Sequence, residues 1–138
     1  MKGLPIILAK TILLSIIVAV AANCIYYAII TDSSQRDYGH AVPLIMERTF
    51  FLGIIIAVMS LPMLFLYHPN YWNNLVGRLL LYFAGPVLFI IAIFYVSDNP
   101  VTKTADLLTG AVFIIINGIF YYSLTRKSKA GTTYSTRK

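Results

Sequence analysis

The chain has 138 residues, of which 59% are hydrophobic and only 12% charged, and its mean hydropathy is +0.78. That composition excludes a water-soluble globule and leaves too little polar surface for a sizeable extramembrane domain, so a single integral membrane domain is expected. The net charge of +6 collects at helix ends and in a tail, where anionic headgroups rather than nucleic acid are the nearer partner; the one cysteine, Cys24, excludes an intramolecular disulfide and a multi-cysteine metal site.

The first apolar run is 11–30, twenty residues without a charge between Lys10 and Asp32. At about 1.5 Å per residue a helix of that length is about 30 Å long and matches the hydrocarbon core of a bilayer. Lys2, Lys10 and the small pattern Ala19, Val20, Ala21 also resemble a secretory signal with its cleavage site. The apolar run continues for nine residues beyond that point, which is too long for a signal core and right for a span. A lipid-modified cysteine is disfavoured because Asn23 immediately precedes Cys24.

Residues 31–49 are polar at first and amphiphilic over 41–46, and Gly39 and Pro43 oppose one continuous helix, so a loop with at most one turn at the membrane surface is predicted. The second span is predicted at 50–66, with a kink at Pro62, whose missing N–H interrupts the helical ladder. Tyr67, Tyr71 and Trp72 in the link 67–74 are rings that favour the headgroup level. The third span, 75–96, carries Arg78 in its first turn, from which the guanidinium can snorkel to the headgroups, and Gly85 with Pro86, which predict a second kink. A polar turn over 97–104 leads to the fourth span, 105–124, with Asp106 at its head where the positive end of the helix dipole favours an acid. Residues 125–138 are basic and aperiodic, and read as a disordered cytoplasmic tail.

Orientation follows from the basic residues. With the N-terminus inside, the cytoplasmic segments hold Lys2, Lys10, Arg78, Arg126, Lys127, Lys129, Arg137 and Lys138, while the outer loops hold Arg36, Arg48 and Lys103. The expected fold class is therefore an all-α membrane protein, a four-transmembrane-helix bundle with both termini cytoplasmic. Its inner-interface anchors are Tyr67, Trp72, Arg126 and Lys127, set against anionic lipid headgroups in a plasma membrane, the inner membrane if the source is bacterial. All five acids, Asp32, Asp37, Glu47, Asp98 and Asp106, fall on the outer side.

Because lipid is as apolar as leucine, the spans must associate through close backbone approach and a few polar contacts. Ser15, Ala19, Ala22 and Asn23 share one helical face; Gly53, Ala57 and Ser60 share another; Gly110, Asn117, Gly118 and Tyr121 share a third. Those faces are predicted to point inward, with Asn23, Ser60 and Asn117 as interhelical polar contacts.

Chemistry is sparse. No group that titrates in the physiological range sits at mid-depth in a span, which argues against a coupled pump acting alone. His40 and His68 are predicted on opposite membrane faces and cannot share a metal or haem, so no cofactor is expected. Asp32, Asp37, His40 and Glu47 gather in the outer loop at spacings that match no metal motif; they are candidate contacts for a partner, ordinarily solvated. Nucleophile elbows, phosphate-cradling glycine loops, paired cysteines and HExxH are missing, and no enzymatic activity is expected. Two function classes fit. One is a non-enzymatic membrane protein that binds another protein, for example an immunity protein against a membrane-acting toxin, similar in size and span number to colicin-type immunity proteins without sharing a motif. The other is a transport or channel component, acting as a homo-oligomer or as the small subunit of a larger complex, with Asn23 and Asn117 lining a path.

Overall fold

The computed structural model describes residues 4–135; the side chains of residues 4, 67, 69, 72 and 127–135 are outside the described set, and with them the expected anchors Tyr67, Trp72 and Lys127. The described chain is helical almost throughout. Four helices are long and apolar enough to cross a membrane: α1 (Leu4–Ile30), α2 (Tyr38–Met59), α4 (Leu75–Val96) and α5 (Pro100–Ser135), with the single-turn α3 (Pro69–Asn73) between the second and third of them.

Helix α1 reverses the polarity of a soluble helix. In α1 the buried stripe is Leu8, Thr11, Ser15, Ala19 and Asn23, spaced three and four apart, while Leu13, Ile17, Ile25 and Ile29 are exposed. On this helix mostly small and polar residues face the neighbours, and large apolar ones face outward.

Helix α2 begins earlier than its sequence suggests, at Tyr38, so most of the expected loop 31–49 is helical. The reason is local: Asp37 caps the helix, its Oδ1 accepting from the N–H of Gly39 at 3.1 Å and of His40 at 3.4 Å. Pro43 falls in the second turn, and the carbonyl it leaves unserved belongs to the exposed Gly39. At the other end the expected kink at Pro62 is instead a change of helix type. The α-helix stops at Met59, the Ser60 N–H is shared between Ile56 and Ala57 carbonyls, and a 3-10 helix follows over Leu61–Tyr67 with Pro62 in its first turn.

Helix α4 occupies 75–96, started by Asn74, whose Oδ1 accepts from Val76 and Gly77, and it runs through Gly85 and Pro86 without changing type. The turn before α5 shrinks to 97–99, with Asn99 accepting from the Val101 N–H. Asp106 therefore lies in the second turn of α5 rather than at its head. Helix α5 continues past the expected end of the span at 124, to Ser135. Residues 125–135 are thus helical where aperiodic composition suggested irregular chain; extending an existing helix needs no new nucleation.

Successive long helices run antiparallel and form a ring, α1 against α2, α2 against α4, α4 against α5 and α5 against α1. Glycine makes the seams close. A Cβ on Gly85 would lie 2.8 Å from the Ser60 Cα and N, and one on Gly53 would lie 2.6 Å from Ile16 Cγ1. Three apolar clusters fill the interior: Leu8, Met63, Leu66, Tyr82 and Leu124 toward the His68 end; Ile56, Phe89, Ile93 and Phe113 in the middle; and Ala19, Val112 and Ile116 along the α1/α5 seam.

Candidate functional site

At the opposite, acidic end, which carries Asp32 and Asp98, residues of α1, α2 and α5 line a pocket of about 140 Å³. Each helix contributes one stripe at helical spacing: Asn23, Tyr26, Tyr27 and Ile30 from α1; Ile45, Arg48, Thr49 and Leu52 from α2; and Val101, Thr102, Ala105, Asp106 and Thr109 from α5. Tyr27 is braced edge-on by Tyr38, with ring centroids 6.0 Å apart.

The deep end is polar. Asn23, 6% exposed, donates from Nδ2 to Thr109 Oγ1 at 2.9 Å and, more weakly, to Thr49 Oγ1 at 3.4 Å. The amide orientation follows from its surroundings. Thr109 spends its hydroxyl hydrogen on the Ala105 carbonyl at 3.0 Å, so its oxygen can only accept, and the NH₂ of Asn23 must face it. The Asn23 Oδ1 is then left buried with no partner among the described residues, an arrangement that costs about 1–3 kcal/mol.

Toward the rim, Arg48 grips Asp106 through two parallel bonds, Nε to Oδ1 at 3.0 Å and Nη2 to Oδ2 at 2.8 Å. The Asp106 side chain is 9% exposed and that of Arg48 48%, so the carboxylate is buried and its neutralising cation reaches outward. It is this fork, rather than the helix dipole, that accounts for an acid in the second turn of α5.

The other sequence candidates are scattered. Asp37 is the cap of α2 and also pairs with His40 Nδ1 at 2.7 Å; both are exposed. Asp32 and Glu47 are exposed, and their carboxylates make no hydrogen bond or ion pair among the described residues. Among those residues no group of three or more His, Cys, Asp or Glu is placed to hold a metal ion. Ser60 is buried and its hydroxyl bonds back to the Ile56 carbonyl of its own chain segment at 2.7 Å; its Oγ and its backbone both pack against Gly85, so it meets α4 by close approach rather than by a hydrogen bond. Asn117 is buried and makes no side-chain hydrogen bond among the described residues. The antiparallel register set by Asn23 with Thr109 brings Ser15 level with Asn117, and the Ser15 Oγ also lacks a partner among the described residues. Arg78 is not a free headgroup anchor, because its Nε donates to Tyr121 Oη at 2.9 Å. Arg126 is exposed.

Sequence reasoning did not find Arg48, Thr49, Asp106 and Thr109 as one group. The signal was present: Ile45, Arg48, Thr49 and Leu52 share a helical face once Asp37 is taken as the start of α2, as do Thr102, Ala105, Asp106 and Thr109 once α5 starts at Pro100.

Compared with known proteins, the chain matches no family model, no curated protein and no solved structure. The fold defines the class: a ring of four antiparallel helices long and apolar enough to cross a membrane, with a partly polar pocket at one end.

Proposed function

We propose that this is an integral membrane protein of four spans with both termini cytoplasmic, acting without catalysis by holding a partner protein at its acidic end. Membrane residence is supported by the outward display of Leu13, Ile17, Ile25 and Ile29 over a buried stripe rich in small and polar residues, and the orientation by the excess of basic residues at the other end.

The observation that carries the binding reading is Glu47. It lies nine residues, about 14 Å, into α2, exposed among the exposed Leu44, Met46, Phe50 and Phe51. An ionised carboxylate on the outer surface of a span is expensive unless a cation meets it. Arg48, its neighbour in sequence, is committed to Asp106. A basic residue on an apolar segment of a second protein supplies the missing charge, and an immunity protein engaging a membrane-acting toxin is one concrete form of such a pair, set in a bacterial inner membrane. The transport reading has less support. The polar levels at Asn23 with Thr109 and at Ser15 with Asn117 are separated by the apolar cluster of Ala19, Val112 and Ile116, which interrupts a continuous polar path.

A photo-crosslinking side chain at position 44, with position 13 as control, tests the reading in the native membrane. The expected result is a discrete protein adduct at 44, absent at 13 and lost on Glu47→Lys. Lipid adducts alone at both positions, or solute flux through proteoliposomes holding only this protein, would overturn it.

A further inference from the structure

We infer that the pocket among α1, α2 and α5 is a binding site for a small neutral aromatic alcohol, with phenol as the simplest member of the class. The site does not involve Glu47 and stands apart from the partner-binding reading.

Size sets the first limit. A space of about 140 Å³ is close to that of an apolar cavity known to accept one benzene ring. The wall sets the second. Tyr26, Tyr27, Ile30, Ile45 and Leu52 offer ring edges and aliphatic surface, which suit an aromatic body. Charge sets the third: Arg48 and Asp106 neutralise one another through two bonds, so the wall carries no uncompensated charge to draw in an ion.

The deep end then selects the functional group. Asn23 lines it, and its Oδ1 is a buried acceptor without a donor among the described residues. Thr49 lines it too, and its hydroxyl hydrogen has no acceptor among the described residues, although its oxygen takes the weak 3.4 Å bond from Asn23. The site thus lacks one donor and one acceptor side by side. A hydroxyl group is both at once, giving its hydrogen to Asn23 and taking one from Thr49. A bare hydrocarbon meets neither need, and a carboxylate or ammonium brings a charge that the wall does not balance. The ligand enters past Arg48 and Thr102, which line the pocket beside the fork.

The test is a titration of the full-length protein in nanodiscs, with isotope-labelled isoleucine and threonine methyl groups, using phenol and, as a probe of the same shape without the hydroxyl, toluene. Phenol should give saturable shifts at Ile45, Thr49 and Thr109, with toluene about fivefold weaker or more, the ratio that one net hydrogen bond supplies. Ala105→Met fills the pocket without removing a polar partner and should abolish the shifts while helicity is retained. Asn23→Leu, if it folds, should erase the preference for phenol. Equal affinities for the two probes, shifts that never saturate, or shifts that persist in Ala105→Met would each overturn the assignment.

Discussion

Arg48 and Asp106 lie 58 positions apart in the chain and meet as a fork, the planar guanidinium facing both carboxylate oxygens at 3.0 and 2.8 Å. Helices α2 and α5 sit diagonally across the ring and touch little elsewhere, so this pair is a principal tie between them. Its worth is set by the buried partner. Removing Arg48 strands a carboxylate that is only 9% exposed, whereas removing both charges strands nothing. Arg48→Met is therefore expected to lower the unfolding free energy by about 2–3 kcal/mol, and the double change Arg48→Met with Asp106→Leu to recover most of that loss. Arg48→Lys should recover only part, because an ammonium cannot make both bonds of the fork. A double-mutant cycle on unfolding in detergent measures the coupling, and a value under about 0.5 kcal/mol would mean that the pair is no more than a surface contact.

Two glycines give opposite expectations for the same substitution. At Gly85 the added methyl would run into the Ser60 Oγ and lie 2.8 Å from the Ser60 Cα and N, so α4 and the end of α2 must separate there; Gly85→Ala should cost about 1–3 kcal/mol. At Gly118 nothing lies within 4 Å of an added Cβ, and alanine in the middle of α5 should be neutral or stabilising by up to about 1 kcal/mol. Thermal unfolding of the two variants side by side checks both, and a Gly118→Ala that loses as much as Gly85→Ala would contradict the seam assignment.

The element that sequence read most directly is α4. Its bounds were legible because Asn74 caps one end and the polar turn closes the other, with a near-continuous apolar run between. The register of α2 was not legible, because two local rules competed. Gly39 and Pro43 argue for irregular chain, Asp37 argues for a helix start, and the second prevails because the proline falls close enough to the start that its orphaned carbonyl is exposed. That misjudged start hid the site, since Arg48 and Thr49 belong to a common face with Leu52 only on a helix that already includes them. Asn23 was recognisable as a buried amide from its place in an apolar run, but its partners Thr49 and Thr109 sit 26 and 86 positions away, and no local pattern specifies such pairings.

Asp37 is more than a surface charge available to a partner, because it holds the first turn of α2 by accepting from two backbone N–H groups and also pairs with His40. Asp37→Ala is expected to cost about 1 kcal/mol and to speed hydrogen exchange at Gly39, His40 and Ala41, while Asp37→Asn should retain most of the cap. This separates two effects at the acidic end. A loss of partner capture on Glu47→Lys with unchanged exchange at those amides would report recognition, whereas the same loss in an Asp37 variant would be mixed with fraying of the helix start.

Ser15 and Tyr82 each bury a hydroxyl that finds no partner among the described residues, Ser15 on the α1/α5 seam and Tyr82 in the cluster with Met63 and Leu124. An unsatisfied hydroxyl in a water-free interior is a cost to the fold, and deleting it leaves the surrounding packing nearly intact. Ser15→Ala and Tyr82→Phe should each therefore raise stability, by about 1 kcal/mol, which reverses the usual sign for truncating a buried side chain. The two sites lie in different clusters and should add when combined. If either variant instead unfolds more readily, its hydroxyl is bonded in the membrane, by ordered water or a neighbouring chain; for Ser15, a parallel loss on Asn117→Leu would point to that shared level of the seam as the place where the bond is made.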